Sequence, residues 1–176
     1  MKNLTPINKE NGFDVEIDIK YATNENFTGK AVYDRPYCFL HPKAAELLKK
    51  AIPLAKEQGF RFKIFDTFRP IKVQEILFEH YPDGDYVSDP KTGLVTHCRG
   101  IAIDLTLIDK NGAELEMGTG FDEFGIKANH GAEDLSILAR KNRYLLMGIM
   151  LSAGFDIYRT EWWHYQLYNV QDYPII

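Results

Sequence analysis

The sequence predicts an α+β fold, with a central, mainly antiparallel sheet flanked by helices, in a single domain spanning residues 1–176. Three observations carry that reading. Segments of period-two apolar alternation mix with segments of helical spacing, without the regular strand–helix–strand rhythm of a parallel sheet. A turn signal, Asp109-Lys110-Asn111-Gly112, directly follows the clearest strand and favours a hairpin. The 176 residues are 45% apolar and 13% aromatic, enough to fill one core.

Residues 14–19 alternate polar and apolar, as a half-buried strand does. His41-Pro42 opens a helix with Leu47, Leu48, Ala51 and Leu54 at helical spacing; Pro53 should kink or shorten it, and Gly59 should end it. Residues 60–66 read as a strand with Phe60, Phe62 and Ile64 on one face. Pro70 suits the first position of a short helix reaching Glu79. The loop from Tyr81 to Thr96 is rich in Asp, Gly and Pro. Residues 100–108 form the clearest strand: Ile101, Ile103, Leu105 and Leu107 point one way, Ala102, Asp104 and Thr106 the other. A hairpin partner is expected over residues 113–117, a long helix over 132–153 ended by Gly154, and a final strand from Trp162 to Tyr168.

A formal charge of −4 leaves no basic footprint for nucleic acid or an anionic membrane surface. No apolar run approaches the ~20 residues of a membrane helix. The first fourteen residues are polar and lack a signal-like apolar core, so the expected location is the cytoplasm, or the periplasm had a signal been removed. Cys38 and Cys98 have no spacing that demands a disulfide and read as free thiols. Cys98 reads as a small residue filling a tight loop.

Two short stretches carry chemistry. Thr96-His97-Cys98-Arg99-Gly100-Ile101-Ala102-Ile103-Asp104 and Glu161-Trp162-Trp163-His164 together offer two imidazoles and one carboxylate, a donor set suited to catalytic zinc. Glu161, beside the last imidazole, is placed to take a proton from water. Gly100 allows a sharp backbone turn between the first two donors. A regular strand would send Glu161 and His164 to opposite faces, so Glu161 must lie at a bend where the strand begins. Burial against Trp162 and Trp163 would raise its pKa, which suits a group that takes and returns a proton.

His97-x-x-Gly100-x-Ala102-x-Asp104 and Glu161-Trp162-Trp163-His164 resemble the paired signatures of the VanX-type D-alanyl-D-alanine dipeptidases, zinc peptidases related to D,D-carboxypeptidases and the Hedgehog signalling domain. Tyr21-Ala22-Thr23-x-x-Asn26-Phe27-x-Gly29, Asp66-Thr67-Phe68-Arg69-Pro70, Met117-Gly118-Thr119-Gly120-Phe121-Asp122 and Asn142-Arg143 fit the same family in order, so the resemblance runs from about residue 15 to 168. It implies one zinc per chain held by His97, Asp104 and His164, with Glu161 as general base and later proton donor to the leaving amine. It implies that Arg69 stabilises the oxyanion, the alternative being a structural ion pair, and that Asp122 binds the free ammonium of a small dipeptide; Tyr21 is a candidate for the same subsite or an aromatic core residue. It also implies the Hedgehog/D,D-peptidase-like fold. One position departs: relatives often carry Ser two residues before the first zinc His, where this chain has Val95. His130 follows a loop that is His-rich in relatives, and reads as a near-site or surface residue rather than a ligand. The competing expectations are a D,D- or L,D-carboxypeptidase or endopeptidase trimming peptidoglycan stems, and a zinc-binding recognition domain without catalysis.

Overall fold

The computed structural model describes residues 3–176. In chain order its elements are β1 (Thr5–Pro6), β2 (Val15–Ile17), β3 (Phe39–Leu40), α1 (Pro42–Glu57), β4 (Arg61–Asp66), α2 (Ile71–His80), β5 (Ala102–Ile108), α3 (Ile137–Ala153), β6 (Asp156–Ile157) and β7 (His164–Gln166). Five strands form one sheet in the order β2-β4-β5-β7-β6, and β1 pairs with β3 apart from it. Only β2–β4 is parallel; the other pairings of the large sheet are antiparallel. The α+β expectation is met. Among the described residues no helix is long and apolar enough to cross a membrane.

Strand β5 is the centre of the sheet, and all seven of its residues are buried. Ile103, Leu105 and Leu107 share a core with Leu48 and Ala51 of α1 and with Leu146 and Met150 of α3. Alternation then commits Asp104 to the other face. Asp66, Asp104 and His164 are direct cross-strand neighbours on β4, β5 and β7, so their side chains share one face. A register shift between Ile64 and Asp66 is what puts Asp66 in that row. Without the extra residue, Phe65 would stand opposite Asp104.

Several boundaries differ from the sequence expectations. Helix α1 continues through Pro53 to Glu57, because Pro53 lies on the exposed side, where a carbonyl deprived of its donor meets water. Helix α3 starts at Ile137 rather than at 132, since the Ser136 side chain accepts from the Ala139 amide at 2.9 Å and caps it there. The turn at Asp109–Gly112 forms, with the Asp109 carboxylate accepting from the amides of Asn111 and Ala113. Residues 113–117 nevertheless make only one bridge, Ile108 to Glu114. The Leu115 amide donates to the Leu107 carbonyl at 2.9 Å, on the stretch of β5 beyond its pairing with β7, and the chain then leaves the sheet. The final strand shrinks to His164–Gln166 because Trp162 and Trp163 lie in a turn. The two-residue strands β1, β3 and β6 are too short to show a period.

Candidate metal centre and its cavity

A short 3-10 turn, Thr96–Arg99, carries His97 into the row of carboxylates. It closes on Gly100 at φ +68°, where an added Cβ would lie 2.7 Å from a Leu4 methyl and 3.3 Å from the His41 amide nitrogen. No larger side chain fits there without moving the backbone of a neighbour. The turn opens on Val95 at φ +42°, a left-handed conformation that a β-branched residue rarely adopts. Such strain concentrates at binding sites, and Val95 lines the cavity described below.

His97, Asp104 and His164 are all buried, and one donor atom from each lies within 4.8 Å of the other two. His97 Nε2 is 3.2 Å from Asp104 Oδ2, His164 Nδ1 is 3.1 Å from Asp104 Oδ1, and the two nitrogens are 3.2 Å apart. The outer contacts select the tautomer of a neutral ring. His97 Nδ1 donates to the Thr67 carbonyl at 2.6 Å, and His164 Nε2 donates to Gln166 Oε1 at 3.0 Å. In neutral rings the inner nitrogens therefore carry lone pairs. Two lone pairs and a carboxylate facing each other repel unless a cation joins them. Tetrahedral ligands at ~2.0–2.1 Å from zinc stand about 3.3 Å apart, which matches these separations. The cluster fits a metal site, and its outer acceptors are the kind that orient metal-ligating imidazoles.

Burial alone would raise the Asp104 carboxyl, but positive charge and donated hydrogen bonds at His97 and His164 outweigh it and hold the group well below the usual carboxylate range; with lone pairs on the inner nitrogens, a bound cation would take over that part. Glu161 stands at the bend the sequence demanded: the His164 amide donates to the Glu161 carbonyl at 3.3 Å, closing a turn over residues 161–164. Its Oε2 lies 3.8 Å from His164 Nδ1. Burial pushes the Glu161 carboxyl well above its ordinary value; the charges of Asp104 and Asp122 add to this and Arg69 opposes it.

Arg69 is almost fully buried. Its Nε donates to Asp66 Oδ2 at 3.0 Å, and Nη2 forms ion pairs with that oxygen at 2.9 Å and with Asp104 Oδ2 at 3.9 Å. Tyr33 donates to the other Asp66 oxygen at 2.7 Å. The guanidinium also lies over the Tyr21 ring, 4.9 Å from its centroid. Asp122 sits at φ +59°, and its buried Oδ2 has no hydrogen-bond partner. Burial raises its carboxyl well above the ordinary value, the Asp104 charge adds, and the Tyr21 hydroxyl pulls the other way.

These groups line one cavity of ≈ 270 Å³, which Tyr21, Arg69, Asp122 and Glu161 share with the three clustered donors. That is near the lower end of ligand pockets, ~300–1,000 Å³, and suits a small substrate. All seven residues singled out from the sequence thus meet at one place. His130 stands apart from the cluster: it is half-buried with its ring 6.0 Å from that of Tyr165, and burial and Arg143 lower its pKa to about 4. Cys98 is buried and free. Sequence reasoning assigned no role to Tyr33, Asp66, Gln74 or Gln166. For Gln166 a signal existed, since two residues along a strand from His164 is the same face.

Residues 4–174 match the family model of the M15 peptidases described as D-Ala-D-Ala dipeptidase. The chain is 41% identical over 163 residues to a D-alanyl-D-alanine dipeptidase of Escherichia coli K12, covering 93% of this chain and 84% of that protein. It is 36% identical over 180 residues to a D-alanyl-D-alanine dipeptidase of Enterococcus faecium, covering 91% and 89%. A solved structure of the vancomycin resistance D,D-pentapeptidase VanY with Zn(II) aligns over 95% of this chain and 85% of its own, at 13% identity and a TM-score of 0.49.

Proposed function

This chain belongs to the D-Ala-D-Ala dipeptidase family of M15 peptidases, and from that premise we propose that it hydrolyses D-Ala-D-Ala or a closely related dipeptide to free amino acids, using one zinc ion. The observation that carries this reading is the convergence of two imidazole lone pairs and the Asp104 carboxylate beside the buried Glu161. His97, Asp104 and His164 are the ligands in this proposal. Zinc held there supplies Lewis acidity toward the scissile carbonyl and makes water a nucleophile near neutral pH.

Glu161 takes the proton of the attacking water and passes it to the leaving amine. Burial raises the affinity of this carboxyl for a proton, which favours its taking the proton of the water. Arg69, a permanently charged planar donor, faces the negative charge that develops on the carbonyl oxygen. Its pairing with Asp66 holds the fork in place before substrate arrives, so little reorganisation accompanies the reaction. Asp122 takes the substrate's ammonium: a buried carboxylate oxygen without a partner offsets the desolvation of a cationic terminus. Tyr21, whose hydroxyl acts on the Asp122 carboxyl, belongs to the same subsite.

The small cavity and its anionic end favour a dipeptide over a peptidoglycan stem, which has a blocked amine and a longer chain to admit. The presence of Glu161 and Arg69 favours catalysis over recognition alone, which requires neither. The deciding experiment is a panel of D,D, L,D and L,L dipeptides with N-acetylated controls, assayed for free amino acids with and without zinc. Zinc-dependent release from free D-Ala-D-Ala is expected. Equal cleavage of N-blocked peptides would replace this reading with a carboxypeptidase.

A further inference from the structure

Arg69 has five N–H donors. Two are committed to hydrogen bonds within the protein, Nε to Asp66 Oδ2 at 3.0 Å and Nη1 to Gln74 Oε1 at 2.8 Å, and Nη2 lies 2.9 Å from the same Asp66 oxygen as an ion pair. Gln74 lies on α2, is only 1% exposed, and is flanked on its helix by the buried Val73 and Leu77. Its amide does two things at once. While Oε1 accepts from Arg69, Nε2 donates to the Ser88 carbonyl at 2.6 Å. The orientation of the amide follows from its neighbours, because a guanidinium only donates and a carbonyl only accepts.

Ser88 belongs to the loop between α2 and the His97 turn, and it lines the cavity. Its hydroxyl in turn accepts from the Val95 amide at 3.1 Å, and Val95 opens the turn that carries His97. A continuous hydrogen-bonded chain therefore runs from Arg69 through Gln74 and Ser88 to the backbone beside His97. A second tie joins the ends: the Arg69 amide donates to the His97 carbonyl at 3.1 Å. A buried glutamine on a helix interior is costly unless both ends of its amide are satisfied, and here both are.

We infer that Gln74 is a positioning residue for the reaction: it fixes Nη1 of Arg69 and ties that guanidinium to the loop that walls the cavity. Asp66 alone holds one edge of the guanidinium, about which the fork can still tilt; Gln74 holds the other nitrogen and removes that freedom. Only glutamine's combination of acceptor and donor at this reach serves both partners. Glutamate would set a carboxylate against the Ser88 carbonyl, and leucine or methionine would serve neither. The inference rests on the oxyanion role proposed for Arg69, so its test separates the two.

The test is a double-mutant cycle of Gln74→Met and Arg69→Lys, measured on the zinc-loaded full chain with D-Ala-D-Ala. Gln74→Met should lower kcat by about 10–100-fold, the loss expected when a transition-state group is displaced by an ångström or less, with KM changed less than ~3-fold. In the Arg69→Lys background the same change should alter kcat less than ~3-fold, because the group being positioned is already gone. Full additivity would overturn the inference and leave Gln74 as a loop tie. A normal kcat for Arg69→Lys alone would overturn the oxyanion role first, and the inference with it. A measurement that needs no turnover is the water exchange of the guanidinium protons, followed by NMR with Arg69→Lys as the assignment control. In wild type the Nη1 proton should be protected, and in Gln74→Met or Gln74→Leu it should exchange freely while the Nε proton stays protected. Free exchange of Nη1 in wild type would overturn the proposal.

Discussion

His164 Nε2 donates to Gln166 Oε1 at 3.0 Å, between two residues on the same face of β7. This contact keeps the proton on the outer nitrogen and turns the lone pair of Nδ1 toward Asp104 and His97. Removing the acceptor frees the ring to adopt the other tautomer or to rotate. Gln166→Leu should therefore weaken zinc binding by about 10–100-fold, as loss of such outer partners does, while His164→Ala should abolish stoichiometric binding. Competition against a chromogenic chelator measures both. Unchanged zinc affinity in His164→Ala would remove that residue from the ligand set.

Glu161→Gln keeps the size of the side chain and removes its ability to carry the proton. Zinc content should remain at the wild-type level while kcat falls by at least ~10²-fold. Metal analysis paired with steady-state kinetics checks this. A zinc-loaded Glu161→Gln protein with near-normal kcat would sink the general-base role.

In the proposed function Asp122 takes the substrate ammonium, and Asp122→Asn removes the charge that would do so. We expect kcat/KM for free D-Ala-D-Ala to fall by about 10-fold or more, as for loss of a charge-assisted contact, with zinc content preserved. The N-acetylated dipeptide never used that charge, so the preference for the free amine should shrink. An undiminished preference in Asp122→Asn would assign the ammonium to another group.

Asp66 is fully buried against Arg69, and removing it strands a buried cation. Asp66→Ala should destabilise the protein by about 3–5 kcal/mol, the range for breaking a buried pair from one side. Chemical denaturation of the zinc-loaded protein measures it. A change below ~1 kcal/mol would mean that water reaches the guanidinium once the carboxylate is gone.

The α+β class, the central strand with Asp104 opposite its aliphatic row, the grouping of His97, Asp104 and His164, and the bend at Glu161 were all legible in the residues. Each of these is local: side-chain period fixes the face of β5, and a three-residue spacing cannot keep Glu161 and His164 on one side of a regular strand. The tertiary structure alone decided where long-range partners meet. The parallel pairing of β2 and the bulge that brings Asp66 beside Asp104 depend on register between segments far apart in the chain. The reduction of the expected strand over 113–117 to one bridge depends likewise on where the chain leaves the sheet. Gln74 was invisible for the same reason. Its neighbours in the chain are ordinary helix residues, and its meaning comes from Arg69 on one side and the Ser88 carbonyl, fourteen residues later, on the other. Backbone carbonyls carry no sequence identity, so a side chain satisfied by one leaves no motif to read.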